Sequence, residues 1–470
     1  MSRSLLDLYV PMEQRDAEGL IPFSNIPTRA EVLSLLAAKT PIDVIVIGSD
    51  LTSSLTAHLL AINGIRVLLV APGRFNETPG EGVSGFLQLS QSSSWSMLKE
   101  VAASARWATA TTKYAPHRSR RLRLEGNRGS GRFRRLALSF ANRLPLIDDH
   151  CLVNEALLGA RQEGAFCLNH MQPLFSEIEG ASGHHVVGLQ CMLSGQEVEV
   201  RCGSIVVASN EREPQSRLWK GSTDTRSLKQ SEAELHMLLA GSTTSAVRVY
   251  RDGGQSAVVV PVNDRLEHVA VSCCRSLADV SPTLRKILFD KREAPQYSWC
   301  RATNSLAQST PFSHKGSVFT LMPVTPWRAA ASAERLVQFY CTAAGWPRPE
   351  ITRFRDLRSP GSVGAVKVIE SFRREAAGCG ISEATIERCV AWWGRRVRYL
   401  DEFPDGLEYI SPNILRGEVE MASRADHAQT LEDFCFQSLG LHRSIVSDED
   451  VAALRAVVNS QGQQLPSTSS

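Results

Sequence analysis

The residues best placed to do chemistry lie in one short turn, Gly48-Ser49-Asp50-Leu51-Thr52-Ser53, and at Ala71, just after the next apolar run. A strand-to-helix turn of this kind holds a dinucleotide pyrophosphate when it reads G-x-G-x-x-G, because bare amides then reach the phosphates. An acid after the second strand takes the ribose. Here Gly48 holds the first glycine position, Asp50 the second and Ser53 the third, and Ala71 stands where the acid would be. Asp50 sets a side chain and a negative charge where phosphate would approach backbone. The sequence therefore predicts a nucleotide-type scaffold whose ligand contacts at Gly48, Ser49, Asp50, Thr52, Ser53 and Ala71 are mostly altered.

The elements around that turn are clear. Ile42, Val44, Ile45, Val46 and Ile47 form a short β-branched run, which predicts a strand buried on both faces. Leu55, Leu59, Leu60 and Ile62 then recur at helical spacing, Gly64 closes the helix, and Val67 to Val70 supply a second buried strand. Pro41 to Phe75 is thus a βαβ unit.

A chain of 470 residues has room for two or three domains with large cores. Hydrophobic content of 43% and charged content of 21% fit a globular class, and no apolar run is long enough to suggest a membrane span. The amino terminus shows no signal-peptide core, so the expected location is cytoplasmic. Eleven cysteines without paired metal spacings predict reduced thiols, with Cys273 and Cys274 as strand residues. Between Arg118 and Arg135 eight arginines face one acid, Glu125. That run is either a solvated excursion or a patch for anions or an acidic membrane surface, which would make the protein peripheral to the inner face of a membrane. Nucleic acid is not predicted, since stacking aromatics and binding motifs are lacking.

Along the chain, residues 1–40 read as a leader and a short first helix, Thr28 to Lys39, capped by Thr28 with Glu31. Residues 41–365 form a discontinuous nucleotide-type domain, interrupted at about 212–317 by a mixed-sheet substrate layer. Asn76 to Ser94 is a loop and Trp95 to Lys113 a helix. Cys151 to Gln162 is a long helix, Val186 to Leu193 and Glu197 to Val200 a hairpin around Ser194-Gly195, and Ser204 to Ala208, like Val318 to Pro323, a buried strand. Residues 366–458 are helical throughout, and 459–470 a disordered tail.

Three stretches, in order, resemble one family, the FAD-dependent glycerol-3-phosphate dehydrogenases. They are TRAEVLSLLAAKTPIDVIVIG, IDDHCLVNEALLGARQEGAFCLN and ILRGEVEMASRADHAQTLEDF, the last similar to that family's carboxy-terminal domain with its acid-Val pair and A-x-T-L-E-D-x pattern. The resemblance implies an α/β fold: an FAD-type Rossmann-like domain, a mixed-sheet substrate layer and an all-α C-terminal cap. It also implies FAD as cofactor and oxidation of glycerol 3-phosphate to the ketone, with quinone or oxygen as acceptor. The family's N-A-[AT]-G turn falls on Ala208-Ser209-Asn210-Glu211, and its H-G-G-L-R-Y run has no counterpart between Asn76 and Gln91. Its G-G-K-x-T-T-x-R falls on Leu321 to Arg328, where Thr325 and Arg328 remain. Arg328 is the surviving catalytic candidate, against a surface salt bridge.

Two functions stay open. One is a divergent family member with flavin redox chemistry lost or strongly altered, serving as an interaction or structural module. The other is an active FAD-dependent oxidoreductase acting on glycerol 3-phosphate or a related small molecule. A remaining possibility is small-ligand binding without redox chemistry in the family's substrate cleft. His117 reads as a turn residue and His184-His185 as solvent-exposed. Of Trp392 and Trp393 at least one belongs to a core, and an exposed second one beside Arg395, Arg396 and Arg398 would suggest a partner or membrane contact.

Overall fold

Residues 42–47 are apolar except for Asp43, and they form the strand β1 (Ile42–Ile47) at the heart of a parallel sheet. In this computed structural model the described residues are 26–75, 149–174, 185–208, 231–240, 248–252, 254–261, 266–274, 276–289, 297–304, 312–321, 326–344, 363–424, 428–439 and 447–460. The expected loop at Asn76 to Ser94, the helix at Trp95 to Lys113, His117, the Arg118 to Arg135 run, the 209–211 turn, Thr325 and the tail after residue 460 lie outside them.

Helix α1 (Arg29–Ala37) starts in the expected capping box, with Glu31 N donating to Thr28 Oγ1 and Thr28 N to Glu31 Oε2. It leads into β1, α2 (Leu51–Ile62) and β2 (Val67–Val70), the βαβ unit read from the sequence. Next come α3 (Asp149–Gln162), β3 (Phe166–Leu168), β4 (Met171–Leu174), β5 (His185–Cys191) and β6 (Glu197–Val207). The hairpin turns at Ser194-Gly195 as expected, but its second strand runs on without a break into the stretch read as a separate strand. Together with β12 (Phe312–Lys315) and β13 (Val318–Leu321), the main sheet runs β12-β13-β6-β1-β2-β3, with β5 and β4 added beside β6. From β13 to β3 the pairs are parallel, and Ile45 sits between Leu68 and Ile205. Parallel strands must be covered on both faces. One face carries α2, α3 and α5 (Pro326–Ala343), through Leu55, Leu59, Leu157, Leu336 and Val337. The other carries α1, through Val32 and Leu36.

Helices α2 and α3 cross closely at Gly159. A Cβ there would sit 2.3 Å from the His58 ring, so a larger residue would force that ring to move. The polar side chains buried in α2 are largely satisfied within the helix. Thr56 Oγ1 donates to Thr52 O, and Ser53 and Ser54 both donate to Asp50 O.

The second layer is an antiparallel sheet with order β11-β7-β10-β9-β8, formed by β7 (Ser231–Ala240), β8 (Arg248–Asp252), β9 (Gln255–Pro261), β10 (Leu266–Ser272) and β11 (Tyr297–Asn304). Its inner face adds Val258 and Ala270 to the core of the main sheet, while α4 (Pro282–Phe289) covers the outer face with Leu284 and Leu288. Cys273 and Cys274 follow β10 rather than lying in it, and Cys273 has φ 59° in a turn.

The C-terminal segment holds α6 (Val363–Gly378), α7 (Glu383–Trp393), a 3-10 run (Gly394–Glu402), α8 (Arg416–Arg424), a π-helical turn (Asp433–Ser438) and α9 (Asp448–Ser460). The helical stretch is broken by a two-stranded ribbon, β14 (Tyr409–Ser411) and β15 (Ile414–Leu415). Its core is built on Phe372, Trp393, Tyr399 and Phe434, and it also takes in Ile26 and Leu158 of α3. Both tryptophans are buried, Trp392 donating to Ser438 O at 2.6 Å and Trp393 to Glu418 Oε1 at 2.9 Å. Neither offers the exposed surface that a partner or membrane contact would use. Arg396 is buried as well, stacked over the Trp393 ring and 3.9 Å from Glu155 of α3.

Candidate functional site

In an open α/β sheet the binding crevice lies outside the carboxyl ends of the strands. Gly48 is at that end of β1 and Ala208 at that end of β6. A Cβ on Gly48 would lie 2.3 Å from Ala208 O and 2.8 Å from Ser53 Cβ, so this glycine is required by the packing of the chain on itself. The glycine that persists is thus the one the fold needs with or without a ligand.

Asp50 is the N-cap of α2. Its backbone is extended (φ −95°, ψ 178°), and its Oδ1 accepts the Ser53 amide at 2.9 Å. A carboxylate there satisfies an amide with no partner inside the helix and complements the positive end of the helix dipole, contributing about 1 kcal/mol. It also occupies the place of an anionic ligand. A phosphate charge ~4 Å from that carboxylate would be repelled by roughly 4 kcal/mol at an effective dielectric constant of about 20, which exceeds the gain from the cap. Ser49 is half-buried beside it, and Thr52 and Ser53 are buried. Ser53, at the third glycine position, fits because its hydroxyl folds back onto Asp50 O at 2.7 Å. Ala71 is fully buried, its amide bonded to Leu168 O and its carbonyl to the Met171 amide, and it presents no acceptor to a ribose. Arg328 lies in the first turns of α5, beyond the carboxyl end of β13, with its side chain outside the described part.

A second polar cluster joins the sheet to the C-terminal segment, and sequence reasoning missed it. After β3 the chain turns at Asn169 and His170, the latter in the left-handed region at φ 51°. His170 Nε2 lies 2.8 Å from Asp433 Oδ2, which also accepts the amides of Gln429 and Thr430. Arg29 of α1 holds the same turn, donating to Asn169 O and Oδ1 at 2.9 Å each, and its other nitrogen lies 3.8 Å from Cys191 Sγ. Burial pulls the Arg29 guanidinium below its ordinary value, opposed by Cys191 and Asp433. Burial also pushes the Cys191 thiol up, but hydrogen bonds from the Ser194 hydroxyl and the Ser194 and Leu193 amides, with the Arg29 charge, outweigh it and hold the thiol at about 7. The only sequence signal for this cluster was Asp433 itself, in the A-x-T-L-E-D pattern.

The acid of the acid-Val pair is structural too. Glu418 is fully buried and takes both arms of Arg388, at 2.8 and 2.5 Å, with the Trp393 indole and the Leu415 amide. Burial acts to lower the Arg388 guanidinium, and Glu418 more than reverses it. His185, expected in an exposed turn, is instead buried in β5 against the Ser317 hydroxyl, because its side chain faces the sheet core. No group of metal-ligating side chains and no helix long and apolar enough to cross a membrane occurs among the described residues.

No family model and no curated protein matches the sequence. Among solved structures, the chain is similar to a glycerol-3-phosphate dehydrogenase from Bacillus halodurans complexed with FAD. The TM-score is 0.67 and the identity 17%, covering 93% of this chain and 94% of that one. An L-proline dehydrogenase from P. horikoshii gives a TM-score of 0.47 at 10% identity over 66% of this chain and 99% of that one. A glycine oxidase from Geobacillus kaustophilus gives 0.44 at 13% over 64% and 95%. The first likeness shows the fold: α/β, with the parallel-mixed sheet typical of FAD-binding Rossmann-like oxidoreductases.

Proposed function

We propose that this chain keeps the FAD-type fold without the flavin chemistry that goes with it, and serves as an interaction or structural module. The observation that carries the reading is the Asp50 carboxylate capping α2 where a pyrophosphate would meet bare amides. Ala71 adds to it, since no acid stands at the ribose position. The residues present do not fit an FAD held in the glycine-turn manner, so no chemical step is assigned to one. Fold and function separate readily when the scaffold is fixed by its core and the ligand contacts are not.

The second reading is an oxidoreductase with an altered flavin mode, acting on glycerol 3-phosphate or a related compound. It is favoured by the extent of the likeness to the FAD-complexed dehydrogenase and by Arg328 in the first turns of α5. Purified protein decides between them. Under the first reading it is colourless near about 450 nm, and added FAD leaves its melting temperature unchanged, because a ligand that does not bind the native state cannot shift unfolding. Stoichiometric flavin bleached by glycerol 3-phosphate would establish the second.

A further inference from the structure

Helix α4 covers the outer face of the antiparallel sheet with Leu284 and Leu288, which leaves Pro282, Arg285 and Lys286 exposed along one side at helical spacing, next to Phe289, half-buried against the same core. Those four residues, with Ala278 of the short 3-10 turn before the helix (Leu277–Asp279) and Val280, line an open surface cavity of about 520 Å³. The volume falls in the range of small-molecule sites, roughly 300 to 1,000 Å³. Its walls are of two kinds. Pro282 and the half-buried Phe289 give an apolar surface over the buried Val280, and Arg285 and Lys286 give two positive charges.

Neither cation is neutralised by a described acid. Arg285 donates to Leu277 O, while Asp279, the nearest acid in sequence, turns its carboxylate to the Ser276 amide and hydroxyl. Two cations beside an apolar wall select a ligand with a hydrocarbon body and one anionic end. We propose that this cavity binds a small amphipathic anion, an apolar chain or ring ending in a carboxylate. The sheet separates it from the Gly48 turn, since Val258 and Ala270 on the opposite face join the main core. The site is therefore independent of any nucleotide chemistry.

Decanoate titrated calorimetrically into the full chain is the test. One saturable site is expected, with 1-decanol bound at least about 10-fold more weakly and acetate not bound, because the site needs both tail and charge. Lys286→Gln, at an exposed position, should weaken decanoate about 5-fold, and Ala278→Trp, which fills the cavity from its exposed side, should abolish binding while leaving the melting temperature unchanged. Absence of a saturable site, equal binding of decanol or of acetate, or wild-type affinity in either variant would overturn the proposal.

Discussion

His170 Nε2 and Asp433 Oδ2 lie 2.8 Å apart, and through that contact the turn after β3 is fastened to the π-helical turn of the C-terminal segment. Asp433 is fully buried and also carries two backbone amides, so its loss leaves several donors unsatisfied at once. Asp433→Ala should cost about 3 to 5 kcal/mol, and Asp433→Asn, which can still accept the amides, clearly less. Urea unfolding monitored by tryptophan fluorescence measures both; equal losses would mean that the amides contribute nothing.

Gly48→Ala should destabilise the chain by more than about 2 kcal/mol, since a Cβ would meet Ala208 O at 2.3 Å and backbone cannot yield cheaply. The same denaturant experiment reads it. A near-neutral result would place the reason for this glycine in ligand contact instead.

Asp50→Asn separates the cap from the charge. Asn is as good an N-cap as Asp, so stability should change by less than about 0.5 kcal/mol, whereas Asp50→Ala should lose about 1 kcal/mol. If the carboxylate charge is what repels phosphate, FAD should raise the melting temperature of Asp50→Asn more than that of the parent protein. Thermal shift with and without millimolar FAD checks it, and an identical response would remove charge from the account.

Asp401 shows how pH should act on the C-terminal segment. Asp401 stands at the surface, where partial desolvation first, then a hydrogen bond with Glu375 and its charge, raise its carboxyl to about 7. Because the folded value lies above the unfolded one, the native state holds the proton more tightly. The stabilisation is fully present below about pH 4 and is lost as the pH climbs toward about 7. Asp401→Asn should therefore flatten the fall in melting temperature between pH 5 and 8, and a fall as steep as in the parent would assign it to other groups.

The thiol of Cys191, buried but for a small edge, should be alkylated slowly with a midpoint near about pH 7, read peptide by peptide because Cys273 and Cys379 are exposed. Arg29→Gln should move that midpoint upward, since Arg29 is one of the groups holding the thiolate. An unmoved midpoint would leave the Ser194 and Leu193 hydrogen bonds as the whole cause.

The βαβ unit, the first capping box, the hairpin at Ser194-Gly195 and the order of layers were legible in the sequence, because each follows from a local period or cap. Asp50 was legible only in part. Its charge could be read as an obstacle to phosphate, but its role as cap needs the helix in place. His170, Arg29 and Cys191 could not be found, since residues far apart in the chain meet only when the sheet and the C-terminal helices close on each other. His185 was misread for a related reason: adjacent histidines look like a polar turn until strand alternation turns one of them inward.

Ile26 is fully buried among side chains of the C-terminal helices. On a ribosome adding ~5 to 20 residues per second, it waits on the order of 20 to 90 s for those helices to exist. The parallel sheet is similarly delayed, since β1 pairs with β2 at once but must hold its other edge open until β6 has been made. Nascent chains of this protein should therefore depend on chaperones until late in translation, and chains ending before α6 should be captured by them rather than released as folded domains.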